Sequence, residues 1–329
     1  MLNKFKVWVL PGVELVFAKP LRSATMLMSD DLPTLLRPIK ANSGLSLCGI
    51  STFRSQLPTY SAVLIFIFAI SNFQVDDESL IFALSFILST PIKPNPSSDT
   101  SKKQQVEEMF DNISSRYDFL NHFLSLGIDY SWRTKVRKII AKIQAKKILD
   151  VATGTADLAI EISKIPDTQI VGIDISRGML DIGDVKLEKM QLTNRIVLQQ
   201  ADSENLPFET GEFDAVTVSF GVRNFENLDK GLADMCRVLK KEGSLLVLEF
   251  SKPTNPIFSR LYWFYFKFIL PPLGRLFSKD ATAYTYLPQS VAAFPEGEEF
   301  VARAKAAGFA TVNYKPLTFG VCTLYHCVK

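Results

Sequence analysis

The chain has 329 residues, 47% of them hydrophobic and 22% charged, with 37 lysines and arginines against 34 aspartates and glutamates. This supplies ample apolar material for a core and excludes a chain that is disordered throughout, while the near balance of charge argues against a dedicated nucleic-acid protein. Four cysteines (Cys48, Cys236, Cys322, Cys327) without zinc spacing, and two histidines, His122 and His326, argue against a disulfide scaffold and against a metal site.

In chain order, the first ninety-odd residues show no clear period. Two apolar patches, Ala62 to Ile70 and Leu80 to Leu88, are separated by Asp76, Asp77 and Glu78, and neither reaches a spanning length. Met1 to Tyr60 carries seven basic and three acidic residues with scattered serines. Residues 1–94 are therefore read as an extension with three open assignments: a targeting segment, a membrane-associating hairpin, or upstream sequence outside the mature protein, the last being favoured. Pro94, Pro96, Ser97 and Ser98 mark a linker, and a helix is expected from Ser101. The patterned part, residues 95–329, is the size of one enzyme domain.

Arg133 to Lys147 holds seven basic residues and no acid, with Val136, Ile139, Ile140 and Ile143 at helical spacing, which predicts a basic amphipathic helix. Its cationic face suits solvent or anionic lipid headgroups. Next come a strand into Val151, a tight turn, a helix start, and a second strand, Ile170 to Asp174, ending in a carboxylate. A helix to about Met190, a strand Arg195 to Gln200, the run Glu212 to Phe220, a helix Leu228 to Leu239, a turn Lys241 to Gly243 and a strand Ser244 to Phe250 follow. Strands and helices alternate through short loops, so an α/β fold with a doubly wound, mostly parallel sheet is predicted. Downstream, Glu296 to Ala307 reads as a helix, and Ala310 to Pro316 and Gly320 to Val328 as strands.

Ligands of such sheets bind at the carboxyl ends of the strands, where Ala152 to Asp157, Asp174, Asp202 and Ser219 fall. A dinucleotide fingerprint needs three glycines, but the corresponding places hold Ala152, Gly154 and Asp157. A carboxylate at the third place disfavours a pyrophosphate and suits a cationic or zwitterionic nucleoside such as S-adenosylmethionine. An ordinary βαβ turn with one glycine is the plain alternative.

Phe110 to Ile113, Arg116 to Gly127, Trp132-Arg133, Asp202 to Phe208, Ser219 to Asn224 and Val247 to Pro253 resemble the ubiquinone/menaquinone biosynthesis C-methyltransferases over roughly residues 100 to 329. Phe-Gly-x-Arg-Asn and Leu-Glu-Phe-Ser-Lys-Pro are the specific motifs; the cofactor loop is shared by many methyltransferases. The resemblance implies a class I S-adenosylmethionine-dependent methyltransferase, Rossmann-like, with seven strands and the last inserted antiparallel. It places Gly154, Thr155, Asp174, Asp202, Ser203 and Ser219 at cofactor-binding positions. Relatives often have a second glycine where Thr153 or Ala156 stands. Arg116 to Trp132 is most like members serving menaquinone, which implies methylation of a ring carbon of demethylmenaquinol. A ubiquinone-pathway or dual-specificity enzyme is the alternative.

For that chemistry Arg223 is expected to stabilise the developing oxyanion and Asn224 to orient the same oxygen, with Tyr117 and Asp118 lining the site or relaying the proton. Each residue also has a plainer use. Arg223 can pair with Asp229 or Glu226, Asn224 can cap the next helix, Tyr117 can be a core aromatic, and Asp118 a surface charge. His326 is read as structural or facing the acceptor. A polyprenylated quinol substrate implies peripheral membrane contact, with Leu261 to Phe277 as an apolar lid or a packing helix. The expected location is cytoplasmic, peripheral to the inner face of the membrane, with organellar targeting left open. No nucleic acid and no metal are expected, and homo-oligomerisation stays open. Two rivals remain: a nicotinamide-dependent dehydrogenase, and a non-catalytic cofactor-binding assembly subunit.

Overall fold

In the computed structural model the described residues are 92–125, 127–253, 255–264, 268 and 282–329. The chain divides into two units, Met1–Gln74 and Val75–Lys329, and all described residues belong to the second. The expectations for residues 1–91, and for most of the aromatic segment after Phe264, lie outside the described residues.

The elements are α1 (Lys102–Leu124), α2 (Ile128–Lys142), β1 (Lys147–Val151), α3 (Asp157–Ile162), β2 (Gln169–Asp174), α4 (Arg177–Lys189) and β3 (Ile196–Gln200). They continue with β4 (Phe213–Ser219), a 3-10 turn (Val222–Asn224), α5 (Leu228–Val238), β5 (Leu239–Phe250), α6 (Pro256–Phe264), α7 (Thr282–Ala293) and α8 (Glu298–Ala306). β6 (Thr311–Leu317), a second 3-10 turn (Thr318–Gly320) and β7 (Cys322–Val328) close the chain. The sheet has seven strands in the order β3-β2-β1-β4-β5-β7-β6. β1 to β5 pair in parallel, and β7 runs antiparallel between β5 and β6. This is the class I methyltransferase topology anticipated above, with its antiparallel closing strand.

Short-range chemistry sets the helix starts. Ser101 Oγ accepts from Gln104 N at 3.2 Å while Gln104 Oε1 accepts from Ser101 N at 3.3 Å, a reciprocal capping box at α1. Ser176 caps α4 and Asn227 caps α5 through their side-chain oxygens. Neighbouring β1 residues feed opposite faces. Leu149 and Val151 join Val216, Met235, Phe300 and Tyr325, whereas Ile148 joins Trp132, Val136, Ile140 and Ile170. The central strands are thus buried on both sides, as a parallel sheet requires.

Two details differ from the sequence reading. The basic helix begins at Ile128, includes Asp129, and ends at Lys142; Lys146 and Lys147 lead into β1, where Asp214 accepts from both of their backbone N–H groups. Lys135, Lys138 and Lys142 are exposed, but Arg133 is buried between Asp129 and Asp157, and Arg137 pairs with Glu161. The turn expected at Lys241 to Gly243 is absorbed into β5 as an irregularity. Glu242 takes φ 64°, and the pairing register shifts between Phe213 and Ala215. A Cβ on Gly243 would lie 2.8 Å from Lys240 O, so the kink needs a glycine.

Candidate functional site

The ends of β1, β2, β3 and β4 open into a cleft roofed by α1. Lys103, Val106, Phe110 and Tyr117 line it from the roof, and Gly154, Asp174, Asp202, Ser203, Ser219 and Asn224 from the sheet side.

The loop after β1 is a chain of unusual backbone. Ala152, Gly154 and Ala156 have φ of 52°, 57° and 67°, so three left-handed residues within five fold the segment tightly over the sheet. Two of these places hold alanine, and Ala156 still serves as the residue before α3. Beneath the loop, buried Asp150 accepts from Thr153 Oγ1 at 2.6 Å and from Thr217 Oγ1 at 2.5 Å, tying β1, its loop and β4 together. Burial pushes the Asp150 carboxyl up to about 6, partly offset by those two hydroxyls. Gly221 allows the chain after β4 to press on this loop, because a Cβ there would stand 2.5 Å from the Ala152 Cβ.

Asp174 ends β2 and lies against the loop. Its Oδ2 accepts from Gly154 N at 2.8 Å and its Oδ1 from Ser176 N at 2.9 Å. Each oxygen keeps a lone pair for a further donor such as a hydroxyl. Burial raises this carboxyl to about 6 against those backbone donors. Asp202 and Ser203 follow β3; Asp202 accepts from Glu204 N at 2.9 Å and from the Lys103 ammonium at 2.5 Å. Ser219 Oγ is shielded from solvent with no hydrogen-bond partner.

Thr155 and Asp118 stand apart from this lining. Thr155 is 2% exposed and donates to Asp118, and Lys186 on α4 reaches Asp118 at 2.9 Å, Thr155 at 3.1 Å and also Asp157. This network joins the roof, the loop and α4. The carboxylate that fills the third fingerprint place is therefore held by Lys186, with Arg133 at 3.4 Å. Tyr117 closes over the loop, with its ring 3.8 Å from where a Gly154 Cβ would be and edge-on to Phe110.

Beside the cleft lies the 3-10 turn after β4. The Arg223 side chain is 8% exposed, donates to Phe220 O, and pairs at 2.8 Å with Glu249 Oε1, a carboxylate fully buried in β5. Its guanidinium lies over the Phe250 ring, which stacks on Phe220. Neither Asp229 nor Glu226 takes this arginine: Asp229 pairs with Arg303, and Glu226 accepts from Lys102 N. Asn224 is no helix cap either, since Asn227 has that place; Asn224 lines the cleft with Oδ1 buried and unpartnered. Lys102 donates to Arg223 O at 3.0 Å and Phe225 O at 2.7 Å, and burial lowers its pKa to about 8. Glu249 could have been found from sequence as the lone charge in a run of buried apolar residues, Leu245 to Leu248. Lys102 and Lys103 carry no comparable signal.

His326 lies away from the cleft, its Nε2 3.0 Å from Ser244 Oγ at the start of the apolar part of β5. Cys236, Cys322 and Cys327 are free and buried. Among the described residues no group of three or more His, Cys, Asp or Glu could hold a metal ion, and no helix is long and apolar enough to cross a membrane.

Residues 98–329 match the model of the ubiE/COQ5 methyltransferase family. The chain belongs to that family. A demethylmenaquinone methyltransferase of Bacteroides fragilis is 47% identical over 239 residues, spanning 72% of this chain and 97% of the relative. A protein of the same name from Porphyromonas gingivalis is 43% identical, spanning 74% of this chain and all of the relative. A ubiquinone/menaquinone biosynthesis C-methyltransferase of Citrifermentans bemidjiense is 46% identical over 69% of this chain and 97% of the relative. Within the ubiE/COQ5 family the methyl donor is S-adenosylmethionine, and the residues present fit it. The cleft offers a backbone cradle, a carboxylate with spare lone pairs, and an orphaned serine hydroxyl.

Proposed function

We propose that this protein transfers the methyl group of S-adenosylmethionine to a ring carbon of demethylmenaquinol, giving menaquinol. The observation that carries this reading is the buried Arg223–Glu249 pair, with Asn224 beside it, at the end of a cleft shaped for the methyl donor. When bound, the donor supplies an electrophilic methyl on a sulfonium that leaves as a neutral thioether. In the net reaction a ring C–H becomes C–CH₃, the broken C–S pair stays on sulfur, and one proton departs.

In this reading Asp174 takes the ribose hydroxyls, Asp202 and Ser203 border the adenine, Gly154 cradles the amino-acid end, and Ser219 donates nearby. Arg223 stabilises the acceptor oxygen as it ionises, and a preorganised donor of that kind contributes about 3 kcal/mol to the barrier reduction. Glu249 fixes the guanidinium, so the charge is aimed before the acceptor arrives. Tyr117 covers the reacting centre from the roof. Asp118 and Thr155 act as positioning residues, through the Lys186 network that binds α1 to the loop.

The catalytic domain in this reading is residues 95–329, with residues 1–94 outside the mature protein; mass spectrometry of the native amino terminus tests that boundary. A polyprenylated acceptor brings the enzyme to the membrane surface on its cytoplasmic side. The deciding experiment is methyl transfer from labelled S-adenosylmethionine to reduced demethylmenaquinone, run beside the demethylated benzoquinol. Label in the naphthoquinol alone is expected. Label in both would establish dual specificity, the second reading favoured by the name of the Citrifermentans relative. Cofactor binding without transfer to either would overturn catalysis.

A further inference from the structure

Three buried polar atoms at the acceptor corner have no hydrogen-bond partner: Arg223 Nε, Asn224 Oδ1 and Tyr286 Oη. Tyr286, on α7, is 2% exposed and packs on Val106 and Met109 of α1 beside Phe110. Val106 and Phe110 also line the cleft, so the tyrosine stands directly behind its roof. On its other side α7 packs against the 3-10 turn that carries Arg223 and Asn224.

A buried donor or acceptor left unpaired is costly, and native structures keep few of them. Asn224 lines the cleft while Arg223 and Tyr286 lie next to its lining residues, and three unpaired atoms around one turn point to a missing group that would pair them. The chemistry of the set identifies that group. Arg223 Nε–H and the Tyr286 hydroxyl donate, and Asn224 Oδ1 accepts. An aromatic hydroxyl is their complement, since it accepts two hydrogen bonds and donates one. When that hydroxyl ionises, it gives up the bond to Asn224 and keeps both donors, now as stronger charge-assisted bonds. The corner thus binds the neutral acceptor and favours its anion further.

We propose that Tyr286 is a catalytic residue that donates a hydrogen bond to a ring hydroxyl of the acceptor, completing a hydroxyl pocket with Arg223 and Asn224. The proposal rests on the function given above and adds the acceptor chemistry: a free hydroxyl on the aromatic ring is required. Tyr286 serves as donor and never as base. Burial drives its pKa far upward and the Arg223 charge offsets this only in part, so the phenol keeps its proton throughout the working range.

The test is Tyr286→Phe in the full chain, with three readouts: turnover of reduced demethylmenaquinone, affinity for S-adenosylmethionine, and melting temperature. Turnover is expected to fall on the order of 10–100-fold. Cofactor affinity should stay within twofold, and the melting temperature should hold or rise, because the variant removes an unpaired buried hydroxyl. Turnover within twofold of wild type would overturn the proposal, as would lost turnover with a lowered melting temperature, which would make Tyr286 structural. If wild type itself labels no quinol, the functional reading fails and this proposal with it. An active wild type with an equally active variant sinks the tyrosine alone.

Discussion

The two ends of the cleft are built by different means. At the donor end, the bonds on the carboxylates come largely from backbone: Gly154 N and Ser176 N on Asp174, Glu204 N on Asp202. At the proposed acceptor end, charged side chains supply the bonds: the Arg223 guanidinium pairs with Glu249, and the Lys102 ammonium donates to the carbonyls of residues 223 and 225. The donor end has its carboxylates hydrogen-bonded with lone pairs to spare, and Ser219 Oγ is its one unpaired buried atom among the described residues. The acceptor end keeps buried atoms unpaired. A subsite for one invariant ligand can be made of backbone, whereas a subsite that must stabilise a transient anion needs a charge held in place beforehand.

The largest effect is expected where that charge is removed. Arg223→Leu should lower turnover by about 10²–10³ and, by leaving Glu249 buried without its partner, destabilise the fold by about 3–5 kcal/mol. Adding Glu249→Leu should restore most of the stability and none of the turnover, read by denaturant melts beside the labelled-methyl assay. Restored turnover in the double variant would erase the contrast between the two ends.

Next in size is the donor end. Asp174→Asn should weaken S-adenosylmethionine binding by about 10-fold or more, since one hydrogen-bonded charge is worth roughly 1.5–3 kcal/mol. Because the wild-type carboxyl is raised from 3.8 to about 6, its acceptor form is lost as pH falls, and titration calorimetry should show affinity declining below about pH 6. The asparagine variant should be flat over that range. The sign for folding is opposite. A carboxyl whose folded pKa lies above its unfolded value binds more protons in the native state, so Asp150 and Asp174 reduce stability as pH rises from about 4 to about 6.

A smaller change is expected at the roof. Lys103 occupies one oxygen of Asp202, and a partly exposed pair is worth about 0–1 kcal/mol. Lys103→Ala should therefore tighten cofactor binding by no more than about fivefold, measured by calorimetry. The smallest effect lies outside the cleft. Exposed Glu242 sits at φ 64°, and Glu242→Gly should stabilise the protein by up to about 1 kcal/mol with no change in turnover.

The contrast also explains what could be read from sequence. The alternation of strands and helices follows from periodicity, whereas the antiparallel last strand and the residues of the donor end follow only from the family resemblance; the structure places Gly154, Asp174, Asp202, Ser203 and Ser219 around one cleft. Thr155 was expected among them on motif position. The left-handed Ala156 and the Lys186 network instead turn it toward Asp118, a geometry set by α1 and α4 and invisible in the loop alone. Sequence proximity offers Glu226 and Asp229 as partners for Arg223. Strand pairing brings Glu249 there instead.

Helix α1 touches every part of this arrangement. Lys102 bonds the acceptor turn, Lys103 the residue after β3, Asp111 both Ser176 and the first turn of α4, and Asp118 the β1 loop. A helix of 23 residues is a beam about 35 Å long. Should α1 tilt as one body when the donor enters, its contacts at the other end would shift too, and the two substrates would then change each other's affinity by the same factor.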